Sequence, residues 1–192
     1  MIACPREADV APSRKRAIKS DQRFCCSFFF VPPLMNSIGE WNLMIIETAR
    51  FGPLDVRDKE IYTFPSGIPG FPECKRYALI PVEESPLFHL QSLEEGGLAF
   101  VAADPFVFYP DYEFKLPEQA EKELDLLQIE DVRVLNIVSI HGDLADATLN
   151  LVAPVVFNVR TAEAAQVILE GTSYTTRHAL LQPSLSAGKE ES

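Results

Sequence analysis

The sequence predicts an all-β, mainly antiparallel domain, a small barrel-like or sandwich fold with one short amphipathic helix packed on it. Three observations carry that reading. Short apolar runs with strand period recur from Met44 onward, turn formers separate them at close spacing, and one stretch alone switches to helical period.

"MIIETA" and "KEIYTF" open the pattern as half-buried strands. "RYALIPV", "LFHLQSL", "LAFVAA", "VRVLNIVSI", "ATLNLVA", "PVVFNVR" and "QVIL" continue it. In "LFHLQS", period two puts Phe88 and Leu90 on one side and His89 and Gln91 on the other. The connections "FPSGIPGFPE", "EEGG", "DPFVFYPDY" and "HGDLAD" are rich in turn residues. In "FPSGIPGF", Gly67, Pro69 and Gly70 are expected to set a specific bend, with Phe64 and Phe71 fastening its ends in the core. A surface built to be touched is the competing reading, and the structural role is preferred to it. "LPEQAEKELDLLQI" is the helical stretch. Pro117 suits a first helical position, Glu118 and Glu121 sit near the positive end of the dipole, and Ala120, Leu124 and Leu127 share one face.

Charge divides the chain at Met44. Residues 1–43 carry six basic against four acidic side chains, a balance of +2; residues 44–192 carry 11 against 24, a balance of −13. Three of the four cysteines and the single tryptophan, Trp41, lie before Met44. Residues 1–43 are expected to be a disordered extension, compatible with a mis-called start. Their apolar run is closed early by Pro32 and Pro33 and is too short to span a membrane. Residues 44–182 form the β domain, and 183–192 a flexible tail. Cys74 is the domain's lone thiol, which fits a reducing, cytoplasmic setting. The acidic balance disfavours direct nucleic-acid binding and favours a basic protein partner.

No catalytic, cofactor or metal site is predicted. His89, His141 and His178 lie far apart without zinc-type spacing. Ser92 and Ser139 lack a nucleophile-elbow motif, and "SAGKEE" lacks the strand and first glycine of a phosphate loop. Asp104, Asp111 and Glu113 surround aromatics in "DPFVFYPDYEF" and are read as an acidic face rather than an acid–base pair. Five rings in a proline-broken strand cannot all point inward, so some should face solvent. Asp104, Phe106, Tyr109, Asp111, Tyr112 and Glu113 are therefore the candidate partner-binding residues. Burial of Phe106, Phe108 and Phe114, with incidental tyrosines, is the competing reading. A small-molecule-binding β-barrel, or an enzyme using surface carboxylates, are the alternatives in other function classes.

In order, "MIIETARFG", "FPSGIPGF", "FHLQSLEEGGLAFVAADPF", "YPDY", "LNLVAPVVFNV", "QVIL" and "YTTRH" resemble the flagellar assembly factor FliW family. The resemblance runs from Met44 to about Gln182 and leaves the extension uncovered. It implies a cytoplasmic β-barrel binding protein, monomeric when free, without cofactor or enzymatic activity. It also implies two partners: flagellin, held before export, and CsrA, an RNA-binding translational regulator whose repression of flagellin synthesis is relieved.

Overall fold

The strand Glu163–Gln166 pairs antiparallel with the end of Thr148–Asn158 and parallel, through Glu163 opposite Thr63, with Ile61–Thr63. That double pairing closes a seven-stranded sheet on itself and removes its open edges. The computed structural model describes residues 17–18, 43–49, 52–57 and 60–181. In chain order the strands are β1 (Ala17–Ile18), β2 (Leu43–Thr48), β3 (Gly52–Arg57), β4 (Ile61–Thr63), β5 (Arg76–Pro81), β6 (Leu87–Ser92) and β7 (Ala99–Ala103). Helix α1 (Pro105–Phe108), β8 (Phe114–Lys115), helix α2 (Glu118–Glu123), β9 (Val132–Ser139), β10 (Thr148–Asn158), β11 (Glu163–Gln166) and β12 (His178–Ala179) follow. Around the barrel the order is β4-β5-β6-β7-β9-β10-β11, with β12 added to the start of β10.

Strand alternation sorts the apolar residues into two layers. Tyr62, Phe64, Tyr77, Leu90, Ala102, Leu135, Val155, Phe157 and Ala164 form one buried cluster drawn from every barrel strand or its flank, which is the barrel interior. Their neighbours Ala103, Val134 and Val156 face the other way, into a second cluster with Tyr112, Phe114, Leu116, Ala120 and Leu124. That outer cluster is how β8 and α2 are held on the barrel. The hairpin β2–β3 adds Ile46 and Val56 against Ala78, and Ala49 N–H donates 3.0 Å to Gly96 O.

The predicted fold class holds, and several elements differ in detail. α2 is six residues long, with Pro117 as its cap rather than its first residue. Asp125 takes a left-handed φ of 47°, which ends the helix and takes Leu127 off the predicted face; that side chain is 62% exposed. "ATLNLVA" and "PVVFNVR" are one strand, β10, with Pro154 inside it. The ladder with β9 shifts register between Leu149 and Pro154, and a proline is tolerated at such an irregularity. "GPLDVR", which begins like a turn, is the edge strand β3. The strand expected at "QVIL" lies earlier, at Glu163–Gln166. Gln91 is buried, and its Nε2 donates to the carbonyls of Ser92, Gly96 and Leu98, so the polar side of β6 is not a solvent side.

"FPSGIPGF" is a chain of two turns, and a third follows directly from Phe71. Gly67 N–H donates to Phe64 O, Phe71 N–H to Ile68 O, and Cys74 N–H to Phe71 O. Pro69 and Gly70, with φ of 92° at the glycine, give the middle turn type II geometry. Phe64 is pinned in the barrel as predicted, edge-on to Tyr77 and Phe157. Phe71 is not: it is 37% exposed, lying against Phe100, and Ile68 is the second buried anchor.

Of residues 1–43, the described ones are Ala17, Ile18 and Leu43. Ala17 and Ile18 depart from the disordered reading by pairing antiparallel with β8. The expectation for the rest of that extension, and for the tail 183–192, lies outside the described residues.

Candidate interaction surface

"DPFVFYPDY" folds as a single helical turn followed by a reverse turn, not as a broken strand. Asp104 caps α1 by accepting from Phe106 N–H at 2.9 Å, and Pro105 fills the first helical position, where no donor is needed. Tyr109 N–H returns to Pro105 O at 2.8 Å, and Tyr112 N–H to Tyr109 O at 2.9 Å. Burial pushes the Asp104 carboxyl up from its ordinary range; the Phe106 N–H and the Arg133 guanidinium offset part of that.

These turns aim the rings inward and sideways. Tyr112 is 1% exposed and meets Phe106, Phe114 and Tyr174 at centroid distances of 5.8, 5.2 and 4.8 Å. Its hydroxyl donates 2.8 Å to Leu151 O, and burial raises its pKa above the ordinary phenol value. Tyr109 is half-buried; its hydroxyl donates to Ala179 O and its ring lies edge-on to His178 at 5.5 Å. Tyr174 in turn accepts from Glu113 N–H at 3.1 Å. "YPDY" and "YTTRH", separated by some sixty residues, thus form one aromatic block.

The block sits over the irregular stretch of β10, where carbonyls leave the regular ladder and need other donors. Asn136 Nδ2 serves Asn150 O, Tyr112 serves Leu151 O, and Leu169 N–H serves Val152 O. Gln166 Nε2 serves Ala153 O, and Val167 N–H serves Pro154 O. Asn150 Oδ1 accepts from Ala153 N–H inside the bulge.

The expectation that Tyr112 is a surface anchor is therefore corrected: it is a buried strut. Phe106, Phe108 and Tyr109 are half-buried and Phe114 is buried, so no ring of the five stands free in solvent. Asp104 is half-buried at its cap, whereas Asp111 and Glu113 are exposed on the turn leading into β8. Val107, on the outer side of α1, is 50% exposed and was not among the candidates. Sequence reading also missed Tyr174 and Asn136 as partners of the block. The available signal was Pro154 inside an apolar run, since a proline there requires a break whose carbonyls must be served from elsewhere.

Asp104, Asp111 and His89 do not form a set. His89 pairs with Val101 in the ladder, while Asp104 lies beyond the end of β7, its N–H donating to Pro86 O. His178 Nε2 accepts from Thr175 N–H at 2.9 Å, and His141 is exposed in a turn. Among the described residues no group of three or more His, Cys, Asp or Glu is placed to hold a metal ion. Also among them, no helix is long and apolar enough to cross a membrane.

Comparison with known proteins places relatives over nearly all of this architecture. The family model described as "FliW protein" matches residues 45–180. A protein of Bacillus subtilis (strain 168) named "Flagellar assembly factor FliW" is 40% identical over 136 residues, covering 70% of this chain and 95% of that one. The protein of the same name from Heliobacterium modesticaldum is 42% identical over 144 residues, 74% of this chain and 94% of its own. Among solved structures, the "Crystal structure of the flagellar assembly factor FliW" superposes with a TM-score of 0.68 at 36% identity, over 72% of this chain and 98% of that chain.

Proposed function

The chain belongs to the FliW family, and on that premise we propose that it is a flagellar assembly factor that works in the cytoplasm by occupying proteins. It holds flagellin before export. When flagellin leaves, the freed factor binds a CsrA-type translational regulator and relieves its repression of flagellin synthesis. The family match over residues 45–180 carries this reading.

The physical character of the domain supports it. A balance of −13 over residues 44–192 attracts a basic RNA-binding protein across about a Debye length, roughly 8–10 Å at physiological salt, and repels the RNA itself. The surface we assign to a partner is the outer side of the aromatic block: Val107 as apolar contact, Asp111 and Glu113 as the charges that steer encounter. The buried rings beneath, Tyr112 above all, keep that surface rigid, so little ordering cost is left for binding.

Charge reversal is the suitable test, because truncating Tyr112 would disturb the fold. Purified flagellin and CsrA are titrated by calorimetry into the full chain and into Asp111→Lys/Glu113→Lys. CsrA affinity is expected to fall with the melting temperature unchanged, and association with the unaltered chain to slow as salt is added. Unaltered CsrA affinity removes this surface. Failure of the parent chain to bind either protein at micromolar concentration removes the function.

A further inference from the structure

Strand β8 is two residues long, stands outside the closed barrel, and has one strand partner among the described residues: β1. Ala17 lies opposite Lys115 and Ile18 opposite Phe114. Ile18 is 3% exposed and belongs to the outer apolar cluster with Phe114, Leu116, Ala120 and Leu124. Yet Ala17 and Ile18 lie outside residues 45–180, the part that the family shares. A β-branched side chain foreign to the family domain therefore completes that domain's outer cluster and covers the edge of β8.

We propose that the β8 edge, with the apolar cluster that Ile18 joins, is a strand-addition site. Ala17–Ile18 hold it in cis as a displaceable plug; a partner entering it is an extended peptide with a β-branched side chain between basic residues. The backbone supplies the affinity of such a site and the side-chain seat supplies its selectivity. The charge pattern specifies the flanks. In the sequence, Arg14, Lys15, Arg16 and Lys19 surround the pair, while residues 104–125 hold seven acidic side chains against Lys115 and Lys122. Glu113 and Glu118, close to β8 on either side, are both exposed. A two-residue pairing is short, so a longer partner strand can replace it; tethering is what favours the plug. The site shares Glu113 with the surface assigned above to flagellin or CsrA, but its strand pairing and the Ile18 seat use neither Val107 nor Asp111, so unaltered CsrA affinity in the charge-reversal variant would leave the plug intact.

The probe is a fluorescent peptide of residues 12–23, added to the full chain and to full-chain Ile18→Asp, with anisotropy as the readout. The Asp variant, its own plug weakened, is expected to bind the peptide at least about tenfold more tightly than the parent chain does, from the apolar area of one isoleucine. The same peptide with Ile18→Asp is expected to bind neither. Hydrogen exchange at Phe114–Lys115 should be slow in the parent chain, faster in the variant, and slow again with peptide. Far-UV circular dichroism confirms the fold, and Ile18→Ala repeats the comparison should the Asp variant be misfolded. Equal peptide binding by both chains, or exchange at Phe114–Lys115 indifferent to residue 18, overturns the proposal. A parent chain that loses this protection on dilution as a dimer dissociates also overturns it, in favour of strand exchange between copies.

Discussion

The hydroxyl of Tyr112 donates 2.8 Å to the carbonyl of Leu151 across 39 residues, joining the turn after α1 to the irregular part of β10. Leu151 is buried, so no water replaces that donor. Tyr112→Phe keeps the ring and strands the carbonyl, and is expected to cost about 1–3 kcal/mol in urea denaturation. Tyr112→Ala also removes the packing with Phe106, Phe114 and Tyr174 and is expected to cost about 3–5 kcal/mol. A partner-binding defect seen only in the Ala variant is thus a folding effect. Phe and Ala variants of equal stability would show that the ring is not packed as described.

The two glycines of "FPSGIPGF" separate a backbone demand from a space demand. Both have positive φ, 72° at Gly67 and 92° at Gly70. A Cβ on Gly67 would meet Pro72 Cα at 2.8 Å and Phe71 O at 2.9 Å, whereas one on Gly70 meets nothing within 4 Å. Gly70→Ala is expected to cost about 1–2 kcal/mol for its left-handed backbone. Gly67→Ala adds a clash with backbone that cannot rotate away, for about 2–5 kcal/mol in total. Thermal melting of the pair gives the order; a Gly70 variant less stable than its Gly67 counterpart contradicts it.

The split between what the sequence reveals and what it hides has a physical basis. Strand alternation and turn residues act locally, so the barrel strands and the bend at Gly67 and Gly70 are legible one by one. Barrel closure depends on Glu163 meeting Thr63, a hundred residues apart in the chain, and no local pattern announces it. Tyr112 misleads for a related reason. Its residue type and its acidic neighbours suit a surface, but a carbonyl freed by the irregularity around Pro154 claims its hydroxyl. Leu127 fails because helical period was extended through Asp125, where the backbone turns left-handed. What stays readable of the candidate site is its charge: Asp111 and Glu113 are exposed, as a solvated acidic face requires.

Asp104 does two things at once, and pH separates them. Its side chain caps α1, and its burial raises the carboxyl pKa. Asp104→Ala is expected to lose about 1 kcal/mol with the cap, and Asp104→Asn to keep the cap, since Asn serves about as well. A folded pKa raised above the unfolded value gives a contribution fully present below the unfolded pKa and lost as pH rises through the folded one. The parent chain should therefore gain stability relative to Asp104→Asn as pH is lowered from neutral into the acid range. Denaturation curves of both at several pH values check this; a difference that grows toward neutral pH reverses the sign.

Asn158 fastens the end of α2 to the barrel. Its Nδ2 donates to Leu124 O at 2.7 Å and to Asp125 O at 3.3 Å, while its Oδ1 accepts from the N–H groups of Arg160 and Thr161. Carbonyls at a helix C-terminus have no partner within the helix, and Leu124 and Asn158 are both fully buried. Asn158→Ala leaves several of these groups unserved, for about 2–4 kcal/mol, and hydrogen exchange in 118–126 should rise with it. Arg160 joins Asp125 at 2.8 Å and Asp131 at 3.5 Å; solvent screens the exposed Asp125 pair, whereas the Asp131 side chain is only 11% exposed. Arg160→Ala is expected to lower the melting temperature less than Asn158→Ala, its cost coming from the Asp131 carboxylate left without its cation. The wider gap belongs to the neutral amide, because Asn158 serves several buried groups at once, whereas water replaces Arg160 at Asp125. An Arg160 variant more damaging than Asn158→Ala would show that charge, not the buried amide, holds α2 in place.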